Sequence, residues 1–434
     1  MIRRILQNKA IKNVGWIIGG QMGRKILVFL VSILAARYLG PDHLGLINYS
    51  QAYITFFAAF CNLGINAIII KNFEDYPHEV GKTLGTTLLL RAISSIGSAA
   101  VIMVIVSIVD RNEPLTIAVT ALSTIGLLFQ IFESFNEWFQ WQLRSKYSAL
   151  ATLVAYIAVS IYKITLLIRG AGVKWFALSN SVEFMALGLF LLLAYKRNGG
   201  PGFSVSFDKA KQLLSKSTSF ILSGLMISIY ASTDKLMLKQ MMTEADVGHY
   251  ALATTLSVMW TFVLSAIINS MYPGIVRLFT SDKQEYVKRN KQLYAMIFYL
   301  SVVISLTICL LADPVIRILY GEAYLPAVVP LRIVVWYTAF SCLGGARNVW
   351  IVCENKQKYL KYLYFGAAAI NVLLNLLLIP IFGTSGAAAA SLITQISTTV
   401  LLPAVIRPLR ENAKMMLDAV LLRGIGIGKA ERKR

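Results

Sequence analysis

Charged side chains stand out in this sequence because several of them occur inside stretches that are otherwise apolar. Seven of these side chains are basic and four are acidic. They are Arg24, Lys25, Arg91, Lys163, Lys235, Arg332 and Arg347, with the acids Glu133, Glu137, Glu183 and Asp234. A charge in apolar surroundings normally faces a polar cavity or an opposite charge. Four acids cannot neutralise seven bases, so the excess indicates an anionic ligand.

Arginine is well suited to bind phosphate, because its planar guanidinium donates two hydrogen bonds and keeps its charge when partly desolvated. The predicted anion is therefore a diphosphate, and the sign of the excess disfavours an organic cation. The predicted diphosphate-binding residues are Arg24, Lys25, Arg91, Lys235, Arg332 and Arg347. Arg24, Lys25 and Arg91 lie deepest in their apolar stretches. Arg332 and Arg347 lie nearer the ends, where a long side chain can carry its charge to water.

Asp234 and Glu133 are the acidic candidates for binding a small cation, either H⁺ or Na⁺. Asp234 directly precedes Lys235, and neighbours on a helix point about 100° apart, so these two do not form a mutual ion pair. Asp234 therefore either pairs with a basic residue of another helix or binds the cation. Glu133 shares one helical face with Gln130 and Glu137. No resident cofactor is predicted.

Polar side chains also recur at helical spacing in two of the apolar stretches. The first stretch carries Asn62 and Asn66, and the second carries Ser265 and Asn269. Such residues either hydrogen-bond neighbouring helices together or line a polar cavity, and both interpretations stay open. The four cysteines and three histidines show no metal-ligand spacing, so no metal site is predicted.

The elements that must position these side chains are transmembrane helices. The chain has 434 residues, of which 57% are hydrophobic and 15% are charged, compared with about 25% charged residues in a soluble domain. Apolar stretches of roughly 20 residues, long enough to cross a bilayer, recur along its whole length. The prediction is an all-α membrane protein with about twelve spans. These spans are 14–36, 44–70, 83–109, 114–136, 148–168, 174–195, 217–242, 247–276, 293–312, 326–352, 359–382 and 386–406.

The longest polar connection divides the spans into two groups of six. It contains the segment Gly199 to Gly202, with Pro201 inside it, which is typical of a hinge-like linker. The predicted parts are an N-terminal lobe over 1–195, a cytoplasmic linker over 196–216, a C-terminal lobe over 217–406 and a basic cytoplasmic tail over 407–434.

Basic residues also predict the orientation, because they are retained on the cytoplasmic side of short loops. The chain has 42 Lys and Arg against 21 Asp and Glu, a net charge of +21. Counting the loops and the outermost four residues of each span, 29 basic residues lie on one side and six on the other. Both termini are therefore predicted to be cytoplasmic. The charge is explained by topology and by contact of the tail with anionic lipid, so no nucleic-acid partner is predicted.

The two halves resemble each other in sequence. Aligning Gly45 with Gly248 sets Asn62 against Ser265 and Asn66 against Asn269. Likewise, the four residues from Arg144 resemble the four from Lys356, and both are followed by an apolar helix and a glycine-containing turn. Each half has an even number of spans, so the repeat predicts two pseudo-symmetric six-helix lobes with the same orientation in the membrane.

Two motifs resemble those of the bacterial polysaccharide flippases, the O-antigen and teichoic-acid exporters of the multidrug/oligosaccharidyl-lipid/polysaccharide (MOP) superfamily. The first runs from Gln21 to Lys25 and from Ala36 to Pro41, followed by Gly45, and the second runs from Asp234 to Leu238 and from Val247 to Tyr250. The similarity in span count, half boundary and length covers nearly the whole chain.

The resemblance implies a MATE-like fold, in which two lobes form a V that opens alternately to each side of the bacterial cytoplasmic membrane. It implies a flippase, not an enzyme, that moves undecaprenyl-diphosphate-linked oligosaccharide repeat units through a cationic cavity. Arg24 best matches the first-helix arginine of the family pattern. Membrane lipids and other membrane proteins of polysaccharide assembly are the expected partners. Lipid II flippases usually carry two further C-terminal helices, which the predicted spans lack.

Two other functions compete with this one. A cation-coupled multidrug antiporter of the same superfamily would have the same fold and would give drug resistance without a glycan defect. A membrane-embedded polysaccharide polymerase or ligase would need catalytic groups on a large outer loop. Every predicted outer loop is short, which disfavours the enzyme.

Overall fold

The computed structural model describes residues 9–424, with the side chains of that range except those of residues 9–27, 67, 219 and 223. All regular structure within 9–424 is helical, which confirms the predicted all-α class. The α-helices are α1 (Lys9–Asn62), α2 (Asn66–Asp75), α3 (Val80–Val109), α4 (Pro114–Gln130), α5 (Ser134–Trp141), α6 (Lys146–Ile168), α7 (Val173–Ala177), α8 (Ser179–Arg197), α9 (Phe207–Met241), α10 (Glu244–Val258), α11 (Thr261–Ser281), α12 (Lys283–Leu319), α13 (Val328–Cys353), α14 (Leu360–Ile396), α15 (Leu402–Val405) and α16 (Arg410–Val420).

Nine stretches between Pro77 and Val405 are long and apolar enough to cross a bilayer, within the part of the chain that the structure describes. The last of them has 49 residues, which would extend about 73 Å as one helix. It is divided at Gly383 (φ 56°, ψ −131°), where the chain folds back. Helix α1 is likewise divided at Gly40 (φ 74°, ψ 172°). The two parts of α1 and the second part of the last stretch add three spans to the nine. The described chain therefore has about the twelve spans predicted.

The break between the first two spans recurs in the second half of the chain. Helical backbone is interrupted at Gly40 (φ 74°, ψ 172°) and at Thr243 (φ −115°, ψ 167°), the residue aligned with it by the predicted repeat. Thr243 caps α10 by accepting a hydrogen bond from the backbone of Asp246, whose side chain accepts one in return. The two breaks therefore occupy the same position in the predicted repeat.

The second pair of similar segments shows the same agreement. Leu143 and Asn355, which occupy equivalent positions, both have a left-handed backbone, with φ of 54° and 53°. Directly after them, the backbone N–H groups of Arg144 and Lys356 each donate to the carbonyl oxygen five residues earlier, at 2.8 and 2.9 Å. This pattern closes the end of a helix. Helix α5 in the first half and helix α13 in the second half therefore end in the same way.

The chain forms two compact units, described here separately. The first unit ends at Ser232 and the second begins at Thr233, so the boundary lies inside α9. One core of the first unit surrounds Phe135 and Trp138, and the core of the second surrounds Tyr286 and Trp350. All four of these side chains are buried. Each unit therefore has an apolar interior of its own.

Residues 199–206, here called the linker strap, pack along α3 within the first unit. A Cβ atom on Gly81 would overlap the carbonyl oxygen of Gly202, and one on Gly85 would overlap that of Ser204. The backbone N–H of Ser204 donates to the carbonyl of Gly81 at 3.3 Å. The Tyr195 hydroxyl donates to the carbonyl of the strap residue Pro201 at 2.6 Å. The two glycines of α3 therefore form the surface on which the strap lies.

The start of α9 is attached to the same unit by a buried lysine. Lys209 is only 5% exposed, and its ammonium lies 2.6 Å from a carboxylate oxygen of Glu79. The same group donates to the side chain of Asn72 at 3.3 Å and lies over the ring of Tyr76. The connection between the two groups of spans is thus held on the first unit by several contacts.

Gly81→Ala and Gly85→Ala are each expected to lower the free energy of unfolding by about 1–3 kcal/mol, because the added methyl group displaces the linker strap. Thermal unfolding of the purified variants in detergent measures this loss. The matched control is Gly97→Ala on the same helix, where a Cβ has nothing within 4 Å and alanine favours the helix. Equal melting temperatures for all three variants would contradict the close packing of the strap.

Helix α16, in the predicted basic tail, packs against α12 in the second unit. The Asn412 amide donates to the Tyr294 hydroxyl at 2.7 Å, and the Tyr299 hydroxyl donates to the carbonyl of Val420 at 2.7 Å. The Lys291 ammonium donates a 2.7 Å hydrogen bond to Asp418 and holds the pKa of that carboxyl below its usual range. The first part of the predicted tail is therefore a docked helix.

Candidate functional site

A buried carboxylate on α9 is surrounded by four hydrogen-bond donors in the second unit. Asp234 is 6% exposed and lies in an apolar stretch long enough to cross the bilayer. Its Oδ1 accepts from the amides of Asn371 and Asn375, at 3.0 and 2.6 Å. Its Oδ2 accepts from the hydroxyls of Tyr250, at 2.5 Å, and Ser391. We call these five residues the Asp234 cluster.

The fold of α14 explains how these groups meet. Asn371 and Asn375 are one helical turn apart and therefore share a face of the helix before its break. Ser391 follows the break at Gly383, where the positive φ of 56° lets the chain reverse. A Cβ atom on Gly386 would overlap a backbone carbonyl of the preceding limb, so the two limbs lie in direct contact. Both limbs thus contribute donors to the carboxylate of Asp234.

The chemistry of the Asp234 cluster suits a proton or an alkali cation. Carboxylate, amide and hydroxyl oxygens are hard ligands, and a buried carboxylate is stabilised when a cation or proton neutralises it. The Oδ1 atom of Asn375 is buried and has no hydrogen-bond partner in the described structure, so an oxygen ligand is available beside the carboxylate. No group of three or more His, Cys, Asp or Glu suited to a metal ion occurs among the described residues.

Asp234 forms no ion pair with any Lys or Arg side chain that the structure describes. Lys235, the next residue, is half-buried. The sequence left two alternatives for Asp234, namely pairing with a basic residue of another helix and binding a small cation. No basic residue of another helix pairs with Asp234 within the described part of the chain. The side chains of Arg24 and Lys25 lie outside the described residues, so pairing with a basic residue and binding of a small cation both remain alternatives for Asp234.

A second charged group lies inside the first unit, around Arg91. Arg91 is 1% exposed and donates to the Ser134 hydroxyl at 2.6 Å and to the side-chain oxygen of Asn66. Glu137 and Glu133 are close enough to interact electrostatically with its guanidinium. We call these five residues the Arg91 cluster.

The Arg91 cluster combines one guanidinium with two carboxylates in a poorly solvated place. Glu137 is buried, and its Oε2 has no hydrogen-bond partner among the described residues, as is also true of Nε of Arg91. A buried charge is stabilised mainly by an opposite charge nearby. Arg91, predicted to bind a diphosphate, is thus in contact with protein groups in this structure and reaches a ligand only if they release it.

The two arginines of the second unit have surroundings of another kind. Arg347 is 6% exposed and donates to the backbone carbonyl of Thr398 at 2.7 Å. Arg332 is exposed and donates through Nε to the carbonyl of Cys309 at 3.1 Å. Neither forms an ion pair with a carboxylate that the structure describes. Their positive charge is therefore not neutralised by a neighbouring acid within the described chain.

The remaining predicted residues fall into two groups. Asn62 is half-buried, and Asn66, Ser265 and Asn269 are exposed, so three of the four predicted polar residues are accessible at the protein surface. Asn66 also accepts the hydrogen bond from Arg91. The side chains of Arg24 and Lys25 lie outside the described residues.

Sequence reasoning found Asp234 but missed the residues that donate to it. Asn371, Asn375, Tyr250 and Ser391 were not predicted as site residues. A local signal for two of them exists, since Asn371 and Asn375 stand at helical spacing in an otherwise apolar span. Ser391 gives no such signal, because its approach depends on the break in α14.

The chain is similar in sequence to proteins of polysaccharide assembly. The profile of a family described as "Polysaccharide biosynthesis protein" matches residues 10–279. A protein of Escherichia coli (strain K12) named "Putative O-antigen transporter" is 19% identical over 401 residues, which is 90% of this chain and 95% of that protein.

Solved structures show the same fold. A lipid II flippase MurJ in an inward closed conformation superimposes with a TM-score of 0.71 at 12% identity, over 94% of this chain and 91% of that one. An inward-facing MATE family multidrug transporter of the MOP superfamily superimposes with a TM-score of 0.62 at 15% identity, over 90% and 96%. The resemblance drawn from the sequence is thereby confirmed. The chain belongs to the polysaccharide biosynthesis protein family and has the fold of the MOP exporters.

Proposed function

We propose that this protein is a flippase that moves undecaprenyl-diphosphate-linked oligosaccharide repeat units across the bacterial cytoplasmic membrane, by alternating access. Family membership supports transport in polysaccharide assembly. The observation that supports an anionic substrate concerns Arg332 and Arg347. Neither arginine has an acidic partner among the described residues. Arginines in this state favour a phosphate group.

The diphosphate of the substrate is proposed to bind Arg24, Lys25, Arg91, Lys235, Arg332 and Arg347. The prenyl chain stays in the bilayer, because its transfer to a polar cavity would be unfavourable. Asn62, Asn66, Ser265 and Asn269 are proposed to hydrogen-bond the sugars. Arg91 takes part only in a conformation in which Asn66 and Ser134 no longer hold it. Other membrane proteins of polysaccharide assembly are the proposed partners.

The Asp234 cluster is proposed to bind the coupling ion, H⁺ or Na⁺. Its carboxylate is buried within an apolar span and accepts hydrogen bonds from four uncharged side chains, an arrangement that a cation would complete. Glu133, beside Arg91, is the second candidate for this role. A change in occupancy changes the net charge of the buried cluster, and this can bias one conformation over another.

A cation-coupled multidrug antiporter is the second candidate function. The observation that favours it is the Asp234 cluster itself, since a buried acid can bind a cation whatever the cargo is. Deleting the gene distinguishes the two functions. The flippase predicts accumulation of lipid-linked repeat units on the cytoplasmic face, whereas the antiporter predicts drug sensitivity with normal surface glycan.

The proposed orientation places both termini and the connection over 196–216 in the cytoplasm. It rests on the excess of Lys and Arg on that side of the spans. A reporter enzyme that is active on only one side of the membrane, fused after Arg434 or inserted after Arg111, tests it. Opposite activity of these two fusions is expected.

Arg24→Ala and Lys25→Ala are each expected to lower the transport rate by about tenfold, because each removes one charged hydrogen-bond donor to phosphate. Complementation of the deletion strain, at matched protein levels, measures the effect. Arg111→Ala, an exposed arginine between two spans, is the control. Full complementation by Arg24→Ala would remove that residue from the proposed site.

A further inference from the structure

An apolar groove lies on the first unit, between α3 and the first turns of α9. It has a volume of about 610 Å³, within the range of ~300–1,000 Å³ that is usual for ligand pockets. Leu89, Ile93, Val205, Ala210 and Leu214 are among its lining residues. Val205 belongs to the linker strap, so the strap closes one side of the groove. No residue proposed to bind the substrate or the coupling ion lines it.

We expect the groove to face the hydrocarbon of the bilayer. Its wall on α3 belongs to a helix that is long and apolar enough to cross a bilayer, and the side chains of Leu89 and Ile93 are 44% and 61% exposed. The lining residues of α3 begin at Thr86 and end at Ile93, a distance of about 10 Å along the helix. One leaflet contributes about 15 Å of hydrocarbon. The groove therefore has a length that suits part of one alkyl chain.

The groove also has a positive charge at the end nearer the linker strap. Lys211 lines it and is exposed. No carboxylate lies within ion-pair distance of Lys211 among the described residues, whereas the neighbouring Lys209 is paired with Glu79. Helix α9 begins at Phe207, close to this end, so its dipole adds positive potential. Asp208 is the acid in that first turn, and it does not pair with Lys211.

We propose that this groove binds an anionic phospholipid, with one acyl chain along α3 and the phosphate at Lys211. The apolar lining and the opening to the bilayer match the chain, and the unpaired lysine matches the negative headgroup. In the proposed orientation, the lipid comes from the cytoplasmic leaflet. A bound lipid would contact Val205 and Ser206 of the linker strap and hold the strap against α3.

Native mass spectrometry of the purified full-length protein tests the site, with phosphatidylglycerol and phosphatidylcholine of the same chains as probes. The wild type is expected to bind phosphatidylglycerol more tightly. Lys211→Ala is expected to weaken this binding about fivefold, since one basic residue near the surface contributes about that factor. Ser215→Trp, at an exposed lining position, is expected to fill the groove and remove the preference.

Lys216→Ala and Lys216→Trp are the matched controls, because Lys216 is exposed on the same helix and does not line the groove. Equal phosphatidylglycerol binding by the Lys211, Ser215 and Lys216 variants would overturn the proposal. A third probe, a polyprenyl diphosphate, tests whether the groove binds the lipid part of the proposed substrate instead of a phospholipid. If Ser215→Trp abolished binding of the polyprenyl diphosphate and left that of phosphatidylglycerol unchanged, the phospholipid assignment would be wrong.

Discussion

An Asp234→Asn variant is expected to reach the membrane in folded form and to transport at least about 100-fold more slowly than the wild type. Asparagine keeps the shape of the side chain but has no negative charge to hold H⁺ or Na⁺. Asparagine also has only one acceptor oxygen, whereas the four donors of the Asp234 cluster bind two carboxylate oxygens in the wild type. A hydrogen bond to a charged group contributes about 1.5–3 kcal/mol. Transport by purified protein in liposomes, driven by a proton or sodium gradient, measures the effect.

The matched control is Asp313→Asn. Asp313 is half-exposed and lies 3.7 Å from Arg317 in a surface ion pair, so its replacement is expected to change transport by less than twofold. Size-exclusion chromatography of both variants establishes that they are folded. If Asp234→Asn transported as well as Asp313→Asn under both gradients, the Asp234 cluster would not be the coupling site.

Arg91→Ala is expected to lower the free energy of unfolding by about 3–5 kcal/mol, the usual effect of removing one partner from a buried charged group. The variant leaves Glu133 and Glu137 without their cation and Asn66 and Ser134 without their donor. Thermal unfolding in detergent measures the loss. Arg197→Ala, an exposed arginine at the end of α8, is the control and is expected to change stability by less than 0.5 kcal/mol.

A second substitution separates a structural role of Arg91 from substrate binding. Replacing Glu137 by Gln removes one of the two negative charges, so the double variant Arg91→Ala/Glu137→Gln is expected to recover part of the lost stability. If Arg91→Ala were as stable as Arg197→Ala and still failed to transport, the arginine would act on the substrate and the Arg91 cluster would not be a structural unit.

Local signals explain which parts of the fold and site were predictable. The spans follow from runs of apolar residues. Asp234 was recognised because a single acid in an apolar span is conspicuous in any sequence. These features depend on neighbouring residues along the chain. The span predicted over 44–70 is nevertheless interrupted in the structure, where α1 ends at Asn62 and α2 begins at Asn66.

The contacts of the charged residues were less predictable, because they join helices that are far apart in sequence. Ser391 approaches Asp234 only because α14 reverses at Gly383. Arg91 reads as an unpaired base in the sequence, but Asn66 and Ser134 come from other helices to bind it. Tertiary contacts of this kind leave no periodic pattern.

The linker shows how one sequence pattern can serve two structures. A segment from Gly199 to Gly202 is typical of a flexible hinge, yet here it packs closely on α3. The reason lies in Gly81 and Gly85, whose four-residue spacing more often marks a contact between two helices. In this chain, the missing side chains admit the non-helical backbone of the linker strap instead.

Reconstitution of the purified protein in liposomes that contain a fluorescent polyprenyl-diphosphate-linked oligosaccharide tests the central proposal most directly. A membrane-impermeant reagent that quenches or cleaves the glycan reports how much of it is exposed on each side. The proposed function predicts transfer of the glycan between leaflets by the wild type, but not by Asp234→Asn or by liposomes without protein. Absence of glycan transfer, together with gradient-driven export of an organic cation by the same preparation, would contradict it and support the antiporter.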